Sequence, residues 1–472
     1  MNREYTLLKN TVIISIGKIC TQMISFFLLP LYTYLLTTEE YGTVDLLNTL
    51  VSLLLPIVTF QVEQAVFREL IDVRDNKKNK SIIISNAFFS VCLQCLIYLL
   101  IFFIISPWIN NEYKFYLAIN VIASIFSSLF LQISRGLGNN IIYSFGSFLS
   151  ALLTILGNIL FLLIFKMKVE GMLLGTLLGQ LGCFSFLFFS LKIYKYLHIN
   201  EFKKNICLKL WKYSLPLVPN SISWWIFTAS DKLIVSIFLG LSSNGILSAA
   251  SKFTTVFITF YNIFNISWTE SISMHIDDID IGEYFNKMLN IIIRIFISLI
   301  LITLLIMPYA YPIMVNESYY SGLYLIPILL IGALFNISVG LLSVIYIAKK
   351  NTKTIANTSI ISACINIIVH LVLINSIGLT AAPLSSFIAY FVMFIYRMFD
   401  INNRYFKVSI DKKNLFLTII ILPIVIIIFY INNNILNIIT LFIICIILIF
   451  INYKEIIVFF NSIKIFIIKK FS

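Results

Sequence analysis

Apolar residues along this chain come in runs of about twenty, the length a helix needs to cross the hydrocarbon core of a bilayer. Short polar or charged turns separate them. Fourteen runs are read, at residues 11–36, 43–66, 81–105, 114–134, 142–165, 171–191, 214–240, 244–268, 288–311, 322–347, 354–376, 379–399, 415–431 and 435–452. The last two are short, which suits tilted or partly interfacial helices. The first is too long for a signal-peptide core and has no small-residue cleavage site, so it is expected to be a retained span. The tail, "KEIIVFFNSIKIFIIKKFS", alternates apolar clusters with Lys464, Lys469 and Lys470. That pattern predicts an amphipathic helix lying on the inner leaflet.

Composition agrees with the pattern. The chain is 60% hydrophobic and 12% charged, where soluble domains carry about 25% charged residues. Both halves are equally apolar, so no large soluble domain is expected. Charge then orients the spans. With the N-terminus in the cytoplasm, the inside segments hold 27 of the 34 basic residues and the outside loops hold Lys114, Lys166 and Lys168. Both termini are therefore expected to be cytoplasmic, and the net charge of +13 faces anionic membrane lipids rather than nucleic acid. The inside segment 269–287 departs from this rule with Glu270, Asp277, Asp278, Asp280 and Glu283. Its "DDID" lacks the further positions of a calcium loop and reads as a solvated acidic linker. Cys92 and Cys95 form a CxxC inside a span, where packing sulfurs are expected rather than a metal or redox pair.

The chain also carries an internal repeat. "YLLTTEEYGTV" (34–44) matches "IFLGLSSNGIL" (237–247), placing Gly42 opposite Gly245 at an offset of 203 residues and six spans. "ISRGLGN" (133–139) and "IAKKNTK" (347–353) are both basic turns after a fourth span of six. "KVEGMLLG" (168–175) and "SIGLTAAP" (376–383) each open a sixth span. An even offset keeps both copies in one orientation. The expected fold is an all-α polytopic membrane protein of two six-helix lobes in parallel repeat plus two extra C-terminal helices. The segments are 1–195 for the first lobe, 196–400 for the second, 401–453 for the extra pair and 454–472 for the tail.

"YLLTTEEYGTVDLL", "FQVEQAVFREL", "ISRGLGNNIIYS" and "SDKLIVSIFLG", in this order on fourteen spans, resemble the Wzx-type oligosaccharide flippases of the polysaccharide transporter family. These belong to the multidrug/oligosaccharidyl-lipid/polysaccharide exporter superfamily. The resemblance implies a MATE-like pair of lobes around a cavity open alternately to each side, in a bacterial inner membrane. The implied cargo is an undecaprenyl-diphosphate-linked oligosaccharide repeat unit moved to the outer leaflet for O-antigen, capsule or exopolysaccharide. Implied partners are membrane lipids, a polysaccharide polymerase and chain-length proteins. No organic cofactor is expected, and H+ or Na+ is the candidate coupling ion. A lipid II-type flippase and a drug or ion antiporter share the architecture. A membrane polymerase would want a large outer loop, and the longest one here is short; no P-loop, GxSxG or HExxH is present.

Charges inside spans are costly and mark candidate sites. Lys18, Lys232, Lys252 and Arg294 stand against Glu63 and Asp231, the deep carboxylates of this reading, leaving an excess of positive charge that suits a diphosphate. Asp231 and Lys232 are sequence neighbours and cannot face one another on a helix. Lys252, at matching depth on the next helix, is the expected partner of Asp231, which leaves Lys232 to face the cavity or snorkel outward. Lys18 and Glu63 form a similar candidate pair. Glu63 and Asp231 are ion-coupling or structural candidates. His370 is either a proton relay or a packing histidine. Arg68 and Arg135, at cytoplasmic helix ends, would draw in the diphosphate or anchor to headgroups. Gly171, Gly175 and Gly179 form a face on the sixth span that permits close helix approach.

Overall fold

A computed structural model describes residues 26–453 except 75 and 432, together with Glu455 and Ile457. Lys18 and nearly all of the predicted amphipathic tail lie outside the described residues. The chain groups into two compact units, one up to Ser248 and one from Ala249 onward. The described residues are helical, with no strand among them.

The first unit holds α1 (Leu29–Leu35), α2 (Thr38–Thr59), α3 (Val62–Asp72), α4 (Lys77–Ile105), α5 (Lys114–Gly136), α6 (Asn140–Ile159), α7 (Val169–Ser190), α8 (Lys204–Ser214) and α9 (Leu217–Phe238). Helix α10 (Leu241–His275) begins in it. The second unit continues with α11 (Ile281–Met314), α12 (Ile326–Ala348), α13 (Thr352–Ile377), α14 (Ala381–Arg404), α15 (Lys412–Leu415), α16 (Leu422–Ile431) and α17 (Asn434–Ile451). Ten stretches of the described residues are long and apolar enough to span a membrane, and one of them, Lys353–Arg404, takes in α14 and all of α13 but its first residue. The protein is thus a multi-pass membrane protein, and its long apolar helices fall on the apolar runs read from sequence.

Polar residues at the turns start the helices. The side chains of Thr37, Asn76, Asn351, Asp411 and Asn433 accept hydrogen bonds from backbone N–H groups of the helices they precede. These donors have no intrahelical partner, and in lipid an unmet donor is costly. The glycine face on α7 does what its spacing predicts. A Cβ on Gly175 would lie 2.9 Å from the Asn158 nitrogen, and one on Gly179 would lie 2.5 Å from the Ser150 carbonyl oxygen. Helix α6 therefore rests directly on α7. In the second unit, Trp268 is buried between Phe264 and Phe285.

Three expectations need correction. The span predicted at 43–66 is broken: Phe60 and Gln61 both adopt left-handed backbone (φ 50° and 59°), separating α2 from α3. Neither is glycine, so the sequence gives no warning, and neighbours hold the break. The Gln94 amide donates to the Thr59 carbonyl at 3.2 Å, and Gln61 donates to Ser221 Oγ at 2.8 Å. Residues 192–213, which fall between the spans predicted at 171–191 and 214–240, contain α8, which buries Cys207, Leu210 and Ser214 at helical spacing. The acidic linker at 269–287 is mostly helix, with the turn confined between His275 and Ile281. There Asp278 meets His275 at 2.8 Å and Asp277 meets Lys349 at 2.6 Å.

Candidate functional site

A cavity of about 450 Å³ opens within the first unit. Helix periodicity builds it. Asn48 and Ser52 on α2, Ser124, Ser128 and Gln132 on α5, and Thr176 and Gln180 on α7 recur at intervals of four, so each helix turns one polar stripe inward. Tyr143 of α6 closes one side, Ser127 adds a further hydroxyl, and Val51, Leu55 and Leu131 supply apolar patches. No charged side chain among the described residues lines the space. Its size lies in the range of small-ligand sites, about 300–1,000 Å³. Hydroxyls and amides both donate and accept, so the lining can match a ligand rich in hydroxyls without drawing in an ion. Trp225 of α9 adds an indole beside it, donating to Ser52 Oγ at 2.9 Å and to the Thr49 carbonyl at 3.1 Å.

Arg135 stands at the end of this cavity, on the last turn of α5. It donates to Gln132 Oε1 at 3.2 Å. Its guanidinium lies 4.6 Å from the Phe67 ring centre and 5.6 Å from that of Tyr143. Gln132 and Tyr143 both line the cavity. No carboxylate pairs with Arg135 among the described residues. The aromatic rings fix the plane of the guanidinium while its remaining donors stay available, the geometry that suits bidentate phosphate recognition. Arg74, which the sequence reading passed over, holds this end in place by donating to the Gly136 carbonyl at 2.7 Å and the Arg135 carbonyl at 3.1 Å. Arg68 is exposed and paired with Asp72 at 2.6 Å.

At the opposite end of α2 the first repeat element meets the second. Gly42 packs on Leu241 and Gly245 on Thr38, and each contact maps onto the other under the offset of 203. A Cβ on Gly42 would lie 2.8 Å from the Gly245 nitrogen, and one on Gly245 would lie 3.0 Å from the Gly42 nitrogen. Thr38 and Ser242 share a hydrogen bond of 2.6 Å, and Asn244 donates to the Gly42 carbonyl at 2.9 Å. Asp45 ties the junction together, accepting from Lys232 Nζ at 2.9 Å and from Ser248 Oγ at 2.6 Å. Lys232 is therefore held by a carboxylate rather than left to snorkel. Asp45 was missed because the predicted span began at residue 43; the helix begins at Thr38, which carries Asp45 two turns inward.

Glu63 is buried in the first turn of α3, just past the break, and Lys18, its expected partner, lies outside the described residues. Asp231 on α9 and Lys252 on α10 are half-buried, one in each unit. Arg294, read as a cargo contact, is enclosed within the second unit. It donates to Asn452 at 3.1 Å, to Asp411 at 3.2 Å and to Glu455. Its charge is thus met by two carboxylates beside the last two helices. A further buried cation went unread. Arg397, 2% exposed on α14, donates to Thr358 Oγ1 at 2.7 Å and to Ser343 Oγ. The signal was its place within "FIYRMF", inside the run read at 379–399. His370 is fully buried on α13.

The lipid II flippase MurJ, in an inward closed conformation, is 15% identical over 95% of this chain and 100% of its own, with a TM-score of 0.68. An inward-facing multidrug resistance MATE family transporter of the MOP superfamily is 13% identical over 84% of this chain and 98% of its own, with a TM-score of 0.66. A MATE protein in complex with MaL6 is 14% identical over 84% of this chain and 96% of its own, with a TM-score of 0.57. These likenesses establish a shared fold. No curated protein sequence matches the chain. The family model described as "Polysaccharide biosynthesis protein" matches residues 7–269, more than half of the chain. The protein belongs to that polysaccharide biosynthesis family.

Proposed function

We propose that the protein is a flippase that moves an undecaprenyl-diphosphate-linked oligosaccharide repeat unit from the cytoplasmic to the outer leaflet by alternating access, for surface polysaccharide assembly in a bacterial inner membrane. The observation that carries this reading is the hydroxyl- and amide-lined cavity, without a charged side chain among its described lining residues, with Arg135 at its end. In the orientation that the basic residues favour, Arg135 lies on the cytoplasmic side, where cargo would load. Sugar hydroxyls suit the lining and a diphosphate suits the guanidinium. A cationic drug would instead want a carboxylate in the cavity, so the lining weighs against the antiporter reading. The junction of Gly42, Gly245, Asp45 and Lys232 then closes the outer end and opens when cargo is released. Glu63, buried beside a helix break, is the candidate for coupling to H+ or Na+, and a polymerase and chain-length proteins would take the product onward. A deletion strain tests the reading. Lipid-linked repeat units should accumulate on the cytoplasmic leaflet, be cleared by the wild-type chain and remain with Arg135→Ala. Unchanged surface polysaccharide in a deletion strain with no second flippase would overturn it.

A further inference from the structure

Between α7 and α9 runs a segment, residues 191–214, whose construction serves no purpose in the cavity. One face of α4 is polar in order to hold it. Ser81 and Ser85 both donate to the Tyr196 carbonyl, at 2.8 and 2.6 Å. Asn86 donates to the Glu201 carbonyl at 2.8 Å and accepts from the Lys203 N–H at 2.7 Å. Trp211 donates to Ser90 Oγ at 2.8 Å, and Lys209 pairs with Glu69 of α3 at 2.5 Å. All four α4 side chains are buried. Leu191, Ile193, Cys207 and Leu210 point inward and are buried.

The outward face is of a different kind. Ile199 is 77% exposed, and Tyr194, Phe202, Leu208 and Tyr213 are each close to half exposed. Exposed lysines interleave them: Lys192, Lys195, Lys203, Lys204, Lys209 and Lys212. A surface that is both apolar and strongly basic, held where membrane-spanning helices end, fits the boundary between acyl chains and anionic headgroups.

We propose that residues 191–214 form a docking surface for the anionic phospholipid of the cytoplasmic leaflet. Large side chains enter the interface while the lysine stems reach up to phosphate. The proposal rests on the orientation adopted above and not on the cargo. Its occupant is the bilayer surface rather than the cargo diphosphate, because the lysines are exposed and spread along the whole segment.

Hydrogen exchange on the full chain in nanodiscs reads this without any transport step. Backbone amides over 199–214 should exchange several-fold more slowly in discs containing anionic phosphatidylglycerol than in phosphatidylcholine alone, since each lysine near an anionic surface is worth about fivefold in attraction. High salt should erase the difference. Replacing Lys195, Lys203, Lys204 and Lys212 with Gln should abolish it, and replacing them with Arg should preserve it. The α4 peptides report that the fold is intact. Equal exchange in both lipids, or a lipid effect that survives the Gln variant, overturns the proposal. So does protection by soluble inorganic diphosphate in phosphatidylcholine discs, which would mark a discrete phosphate pocket.

Discussion

Replacing Gly42 with alanine tests the helix junction at the repeat-related glycines. The added Cβ would lie 2.8 Å from the Gly245 nitrogen and 2.9 Å from the Leu241 carbonyl carbon, and it would collide with the Leu241 oxygen. All three neighbours are backbone, so no side-chain rotation relieves the overlap. Overpacking of this kind costs typically about 1–3 kcal/mol, which shifts a two-state equilibrium by roughly 5- to 150-fold. In the proposed mechanism that energy is lost only by the state closed at the outer end. The assay is disulfide formation between cysteines placed at Thr38 and Ser242, whose hydroxyl oxygens are 2.6 Å apart, close enough for the bridge geometry. In the otherwise unaltered chain the pair should oxidise readily. Adding Gly42→Ala should slow the initial rate within that 5- to 150-fold range and raise labelling of the unbridged cysteines by a membrane-impermeant maleimide from outside. Gly282→Ala, where the nearest atom is 3.5 Å from the added Cβ, should change neither. An oxidation rate untouched by Gly42→Ala would refute the claim that this junction opens and closes.

Three further outcomes follow from the geometry. Arg135→Ala should weaken binding of a lipid diphosphate oligosaccharide about 10- to 150-fold, as loss of a charge-assisted contact of about 1.5–3 kcal/mol requires, with little change in Tm; Arg135→Lys should recover part of it in the same titration. Arg294→Ala should destabilise the protein by about 3 kcal/mol, the lower end for breaking a buried ion pair, because Asp411 and Glu455 keep some contact with solvent; thermal unfolding in detergent measures it. Burial pushes the Cys207 thiol above its ordinary range. The reactive thiolate therefore forms only at higher pH, and iodoacetamide labelling of Cys207 should keep rising beyond the pH at which an unperturbed thiol, with a pKa of about 8.5, has levelled off.

Much of the fold was legible because bilayer physics leaves few choices. An apolar run of spanning length has to be a helix, and the runs alone located the long apolar helices. The repeat was legible too, since Gly42 and Gly245 mark the same turn in each copy. That the two glycines touch was not, because contact depends on packing. The break at Phe60 and Gln61 was hidden, since neither residue signals left-handed backbone. The cavity was legible only weakly: Asn48 with Ser52 and Thr176 with Gln180 stand at helical spacing, but small polar residues are common throughout membrane helices. Charges misled most. Lys232 and Arg294 were read by depth alone, and depth does not show that Asp45, Asp411 or Glu455 reaches them.

The most direct test of the account is cargo movement in proteoliposomes that contain only this chain. The substrate would be an undecaprenyl-diphosphate oligosaccharide with a fluorescent sugar, and a membrane-impermeant quencher would read the leaflet it occupies. The account predicts protein-dependent transfer between leaflets that stops when the Thr38→Cys/Ser242→Cys pair is oxidised and resumes on reduction. It also predicts strong impairment when Ser128→Trp fills the cavity. Transfer that continues at full rate with the junction cross-linked, or no transfer at all from a folded chain, would contradict it.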